Sequence, residues 1–217
     1  MNRKERSEVI MKRLEELYPT VPIPLDHKNS FTLLIAVVLS AQSTDKKVNE
    51  LTKPLFRIAS DPEAMIEIGE KKIYEFIRQL GLSKTKAKNV FNLSNKLKED
   101  FNSKVPNNFK DLESLPGVGH KTASVVLAQS FGIPTFPIDT HIHRLAQRWG
   151  MSNGINVKQT EKDLKRIFPK DKWNKLHLQI IFYGREYCTA KGCDGTLCNL
   201  CVELYPNRSK PFLHKKA

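Results

Sequence analysis

The stretch LESLPGVGHKTASVVLA, residues 112–128, constrains the fold more than any other part of the chain. Pro-Gly-Val-Gly separates two helical patterns and leaves room only for a tight hairpin. Gly117 and Gly119 permit backbone angles and close approaches that a side chain would forbid. Val118 can pin the loop onto a core. The second helix begins beside these glycines, so its unpaired N–H groups and positive dipole end face outward. Such a turn is an anion site suited to a phosphate. An ordinary αα-hairpin also favours glycine, so Gly-Val-Gly alone says little. Leu-Pro-Gly-Val-Gly followed by Lys-Thr-Ala says much more.

The rest of the sequence predicts an all-α fold. No period-2 alternation is long enough for a sheet. A helix is expected over residues 3–18, with Val9, Ile10, Leu14 and Leu17 on one face. Asn29 or Ser30 can cap a buried helix from Phe31, and Ser43, Thr44 and Asp45 offer caps for the next. Ser60-Asp61-Pro62-Glu63 opens a short helix, and EKKIYEFIRQLG forms another that stops at Gly81. TKAKNVFNLSNKLKEDF follows. Further helices are expected from near Asp139, from near Val157 and over WNKLHLQIIFYGREY.

Charge narrows the partners. The 217 residues carry 36 Lys and Arg against 23 acids, a formal net charge of +13. That excess suits a polyanion, nucleic acid first, against the bland reading of a generally basic protein. Lys71, Lys72, Arg78, Lys84, Lys86, Lys88, Lys96 and Lys98 face a single acid, Glu75, and are expected to form a phosphate-facing surface. The most apolar run, FTLLIAVVLSA, is too short to span a bilayer. Nothing points to secretion, and acids interrupt the N-terminal helix where a targeting signal would be apolar. A cytoplasmic, nucleoid-associated location is expected, with no membrane contact.

These features together resemble the helix–hairpin–helix DNA glycosylases, and within them the endonuclease III family. The resemblance covers about residues 10–205. LPGVGHKTA matches the family hairpin and implies that Lys121 is the catalytic lysine. PIDTHIHR implies that Asp139 is the catalytic aspartate. LLIAVVLSAQSTD implies that Gln42 contacts DNA, and GLSKTKAKN places Leu82 where a DNA wedge is expected. Gly117, Val118, Gly119 and His120 would contact the phosphate backbone. His120 stands where the family often has Arg, which costs a permanent charge. Gln42 and Leu82 also have bland readings, as a polar helix end and a core residue.

The implied chemistry makes physical sense. A glycosylase breaks a C1′–N bond, and a neutral lysine amine can attack C1′ and form a Schiff base. A lysine on the first turn of a helix has its ammonium form disfavoured by the dipole, and partial burial would add to that. Asp139 reads as a helix N-cap, which keeps its carboxylate ionised. That anion can stabilise positive charge on the sugar. The resemblance implies a bifunctional enzyme that excises oxidised pyrimidines in base excision repair and then cuts the strand by β-elimination. The damaged base must leave the stack, and a Gln42 plug and a Leu82 wedge could offset that cost. His141 and His143, two apart on a helix, point different ways and are expected to be structural rather than metal ligands.

All four cysteines, Cys188, Cys193, Cys198 and Cys201, fall in CTAKGCDGTLCNLC. A reducing compartment argues for metal over disulfides. The family's usual motif is C-x6-C-x2-C-x5-C; here the spacing is C-x4-C-x4-C-x2-C. Cys188 and the Cys198/Cys201 pair fit it. Cys193 is extra, and Asn207 stands where the fourth cysteine would be. The readings are a 4Fe–4S cluster, tetrahedral zinc, or free thiols. Four thiolates make a closed site, so the expected role is a loop shaped for DNA, not hydrolysis.

The expectation is therefore an all-α, two-domain helix–hairpin–helix DNA glycosylase fold with a Cys-rich C-terminal metal loop. One domain covers 23–133; the second joins 1–22 to 134–217, with DNA lying across the cleft between them. The partner is double-stranded DNA with damaged bases or abasic sites, bound by a monomer. The alternatives are a non-enzymatic helix–hairpin–helix DNA-binding protein and an adenine-specific monofunctional glycosylase.

Overall fold

The computed structural model of the protein describes residues 1–216 and is helical throughout, with no strand among the described residues. Eleven α-helices follow in order. They are α1 (Arg3–Leu17), α2 (Ser30–Ser40), α3 (Asp45–Ile58), α4 (Pro62–Ile77), α5 (Ser83–Phe101), α6 (Phe109–Glu113), α7 (His120–Phe131), α8 (Thr140–Arg148), α9 (Val157–Ile167), α10 (Trp173–Glu186) and α11 (Asn199–Leu204). None is long and apolar enough to cross a membrane. The chain divides into two compact units, one of Ile23–Ile133 and one joining Met1–Pro22 to Pro134–Ala217.

In the central unit the apolar helix α2 is the axis. Residues 31–39 are all buried on it, so it is surrounded by other helices rather than half-exposed. Asn29 starts it with a capping box shared with Thr32. Thr44 caps α3, and Asp61 caps α4 with Pro62 in the first turn. The short helix and the EKKIYEFIRQLG helix expected from sequence are joined as α4, across a kink at Gly69, whose φ of 75° and ψ of 163° are not helical. The residue without a Cβ lets the chain change direction there at little steric cost. α5 packs along α4, and α7 along α2, around Leu34, Ile35, Leu55, Ile73, Leu93 and Val126.

The other unit is built on α8 and α10, with α1 packed onto α10. Its core holds Ile10, Leu14, Phe136, Trp149, Leu176 and Tyr183. Gln179 of α10 is buried and closes the end of α1. Its Nε2 donates to the carbonyls of Leu14 and Tyr18 at 3.3 Å and 3.0 Å. The Tyr18 carbonyl is one of the acceptors that a helix terminus leaves open, and the Leu14 carbonyl also accepts from the Tyr18 N–H. One short helix, α11, was not anticipated. It lies within the cysteine segment, and Cys198 occupies its N-cap position.

Candidate DNA interface, catalytic groups and metal centre

The hairpin forms between α6 and α7. Gly117 takes a φ of 79°, and a Cβ there would stand 2.9 Å from Asn89 Nδ2. Both the left-handed backbone and the close approach of α5 require glycine. Val118 is buried and pins the turn to the core. Gly119 is the N-cap of α7, and it makes no side-chain cap. Unlike Gly117, it has no atom within 4 Å of where a Cβ would stand. The side of the turn where a Cβ would stand is therefore clear, which leaves room for the close approach that an anion site needs.

His120 is exposed and lies against α6. Its Nδ1 lies 2.7 Å from Glu113 Oε1, and its ring stacks on Phe109 with centroids 4.9 Å apart. It braces α6 against α7 as well as facing the turn. Lys121 stands on the first turn of α7 and is exposed. The partial burial expected for it is absent, because α7 packs through Ala123, Ser124, Val126 and Leu127, on its other faces.

Gln42 and Leu82 share an unusual backbone. Gln42, just past the end of α2, has a φ of 54°, and Leu82, the N-cap of α5, has a φ of 58°. Non-glycine residues rarely hold such angles, which cost of order 1–3 kcal/mol and cluster at functional sites. Leu82 is 60% exposed, so it is not the core residue of the bland reading. Gln42 is exposed as well. The basic run on α4 and α5 is less uniform than expected. Lys72 pairs with Glu75 at 2.8 Å, and Lys86 is buried rather than on the surface.

In the second unit Asp139 is the N-cap of α8 and accepts from the Ile142 N–H at 2.9 Å. It is half-buried, and the helix fixes its carboxylate in place. His141 and His143 turn to different neighbours. His143 Nδ1 lies 2.8 Å from Thr160 Oγ1, and His141 lies beside Arg144 and Gly184. They do not converge on a metal.

The same helix holds the cysteine segment. Arg144 and Arg148, one turn apart on α8, are both buried. Arg144 Nη2 donates to the carbonyls of Gly184 and Cys188, each at 2.9 Å. Arg148 Nη1 donates to the Thr189 carbonyl at 2.9 Å and to Cys188 Sγ at 3.2 Å. Neither arginine stood out in the sequence, although two cations at i and i+4 on a helix ending in Trp149 carried a usable signal. The four sulfurs of Cys188, Cys193, Cys198 and Cys201 are buried and lie within 4.8 Å of one another. Cys198 is held toward its thiolate by hydrogen bonds from the thiols of Cys188 and Cys201 and the hydroxyl of Tyr183. Donating to Cys198 pushes the Cys188 thiol upward. Tetrahedral coordination at about 2.3 Å per sulfur spaces thiolates roughly 3.8 Å apart. Four converging thiolates with guanidinium and N–H donors around them fit a single soft metal ion at this spacing, whereas a 4Fe–4S cluster, with each thiolate on a different iron, needs them farther apart.

Comparison with known proteins agrees with this arrangement. Residues 35–170 match the HhH-GPD superfamily of base excision DNA repair proteins. Endonuclease III of Treponema pallidum (strain Nichols) is 46% identical over 189 residues, covering 86% of this chain and 90% of its own. Endonuclease III of Escherichia coli (strain K12) is 41% identical, covering 93% and 94%. A solved structure of a trapped endonuclease III–DNA covalent intermediate superposes with a TM-score of 0.88 at 38% identity, covering 94% of this chain and 96% of that one. A thermostable thymine-DNA glycosylase, at 21% identity, shares the fold. The chain belongs to the HhH-GPD superfamily of base excision DNA repair proteins and, within it, to the endonuclease III family. It is a DNA glycosylase of base excision repair whose four C-terminal cysteines cluster so that they could bind a metal.

Proposed function

We propose that this chain excises oxidised pyrimidines from double-stranded DNA and then cuts the strand at the resulting abasic site, acting as a monomer in the nucleoid. One observation carries the reading. The turn at Gly119, with no side-chain cap and clear space where a Cβ would stand, is followed two residues later by an exposed lysine on the first turn of α7. A phosphate held by the hairpin N–H groups brings C1′ of a neighbouring nucleotide to Lys121. The neutral Lys121 amine attacks C1′, and the C1′–N bond breaks with its electron pair leaving on the base, which takes up a proton. The sugar ring opens to an iminium ion. Loss of a C2′ proton then expels the 3′ phosphate, and water releases the lysine. Asp139, fixed as a helix cap, stabilises the positive charge on the sugar and assists proton movement. Gln42 and Leu82 fill and wedge the duplex as the base turns out, and Gly117, Val118, Gly119 and His120 form the backbone contact.

Incubation with borohydride and a duplex containing an oxidised pyrimidine tests this directly. A covalent protein–DNA adduct and release of the altered base are expected. Tight binding with neither product overturns the reading and leaves a DNA-binding protein without catalysis.

The two glycines separate fold from function. Gly117→Ala meets both a left-handed backbone and Asn89, and is expected to destabilise the protein by about 1–3 kcal/mol. Gly119→Ala meets nothing inside the protein and is expected to cost less than about 1 kcal/mol. Its methyl group stands where the phosphate would, so DNA affinity falls roughly tenfold or more. Thermal melts and binding isotherms on the two variants check both halves.

Cys188, Cys193, Cys198 and Cys201 would hold a 4Fe–4S cluster with their sulfurs moved farther apart than the 4.8 Å seen here, as the resemblance of Cys188 and the Cys198/Cys201 pair to the family motif supports. Bound there, the cluster supplies a rigid cross-link rather than reaction chemistry, because four thiolates leave no open position. Arg144 and Arg148 then join that cross-link to the helix capped by Asp139. The purified protein should be brown, with iron and sulfide on analysis. Removing the metal should lower Tm by roughly 10 °C. One equivalent of zinc in a colourless protein decides for the other metal.

A further inference from the structure

Lys86 is 4% exposed, which is rare for a lysine. Burial alone pulls its pKa below the ordinary lysine value. A leucine or methionine at this position would fill the core without that cost. The ammonium group instead reaches out of α5 and donates to Ser43 Oγ at 3.0 Å. Ser43 follows Gln42, and its N–H returns to the Ser40 carbonyl at 3.0 Å, closing the turn that ends α2. That turn lies at the negative end of the α2 dipole, which favours a cation.

The same face of α5 meets two other loops. Leu82, Lys86 and Asn89 are at i, i+4 and i+7, so they lie along one stripe. Leu82 heads the helix with its strained backbone. Asn89 packs under Gly117 of the hairpin. Gly81 approaches the Gln42 carbonyl, which would lie 3.8 Å from a Cβ at that position. One helix face therefore touches the Leu82 turn, the Gln42 turn and the hairpin. Lys86 is its only charged member.

We propose that Lys86 is a positioning residue that locks the Gln42 turn to the Leu82 turn, so that the two enter the duplex as a single unit. This rests on the reading of Gln42 and Leu82 as plug and wedge. A strained turn tied at one point by a partly buried hydrogen bond holds its geometry before DNA arrives. Without the tie, each turn relaxes separately and must be ordered again on binding.

A duplex with 2-aminopurine beside a stable abasic analogue reports the insertion, since unstacking raises its fluorescence. The wild-type protein gives the full rise. Lys86→Met and Ser43→Ala each lose at least half of it, and the double variant loses no more than Lys86→Met alone. Lys86→Arg restores most of the signal. Borohydride trapping on an abasic site in single-stranded DNA, where nothing has to be unstacked, stays within twofold for Lys86→Met. Gln42→Ala and Leu82→Ala run in parallel and should abolish the rise. A full rise with Lys86→Met and Ser43→Ala, while Gln42→Ala and Leu82→Ala lose it, overturns the positioning role. A full rise with all four removes the plug-and-wedge reading and this proposal with it. If Lys86→Met fails to fold, Ser43→Ala still decides, because Ser43 is partly exposed.

Discussion

Lys121→Ala is expected to abolish the borohydride-trapped adduct, a loss of at least roughly 10³-fold in strand cleavage. The fold should be indifferent. Lys121 is exposed, and alanine is a better helix former than lysine, so Tm should stay the same or rise slightly. DNA binding should fall only modestly, because the hairpin N–H groups remain and one cation among many is lost. Gel analysis of trapped complexes, with melts and binding on the same sample, checks the three parts together. An undiminished adduct would assign the Schiff base to another amine.

Asp139→Asn should lower the rate of base release by about 10²–10⁴-fold with little change in stability. Asparagine caps a helix about as well as aspartate, so the hydrogen bond from the Ile142 N–H persists while the negative charge is lost. Asp139→Ala removes both and should cost a further ~1 kcal/mol of stability. Single-turnover rates on a damaged duplex, set against thermal melts, separate the two roles. Equal rates for wild type and Asp139→Asn would leave this residue as a cap and nothing more.

Local rules made much of the helical framework visible in advance. Asn29, Asp61-Pro62 and Asp139 are starts that a side chain specifies within three residues. Gly69 separated two patterns that the structure joins across a kink. The hairpin turn was legible because Pro, Gly and Val each have a steric reason to be there. What escaped depends on partners far along the chain. Lys86 looked like one more surface cation, and only Ser43, 43 residues away, shows why it is inside. Arg144 and Arg148 looked like ordinary helix charges, yet both bind a segment about 40 residues further on. α11 was missed because six residues, Asn199–Leu204, are too short to hold a helix by propensity alone, and burial of Leu200, Cys201 and Leu204 supplies its stability. Burial at Lys121 was misjudged for the converse reason: a helical pattern shows which face is apolar, not which neighbour is absent.

The discontinuous unit has a consequence for how the polypeptide is made. α1 is synthesised first, but Gln179, which closes its end, emerges 165 residues later than Leu14. The central unit between them has its own core within Ile23–Ile133, so it can form while the ribosome is still working. Until then α1, with Ile10 and Leu14 uncovered, is a 15-residue helix of marginal stability. On the proposed function, the hairpin lysine is therefore in place well before Asp139 and the cysteines are made. Truncation after residue 133 should leave a folded, cleavage-incompetent fragment, whereas truncation within α10 should leave α1 exposed and prone to aggregate.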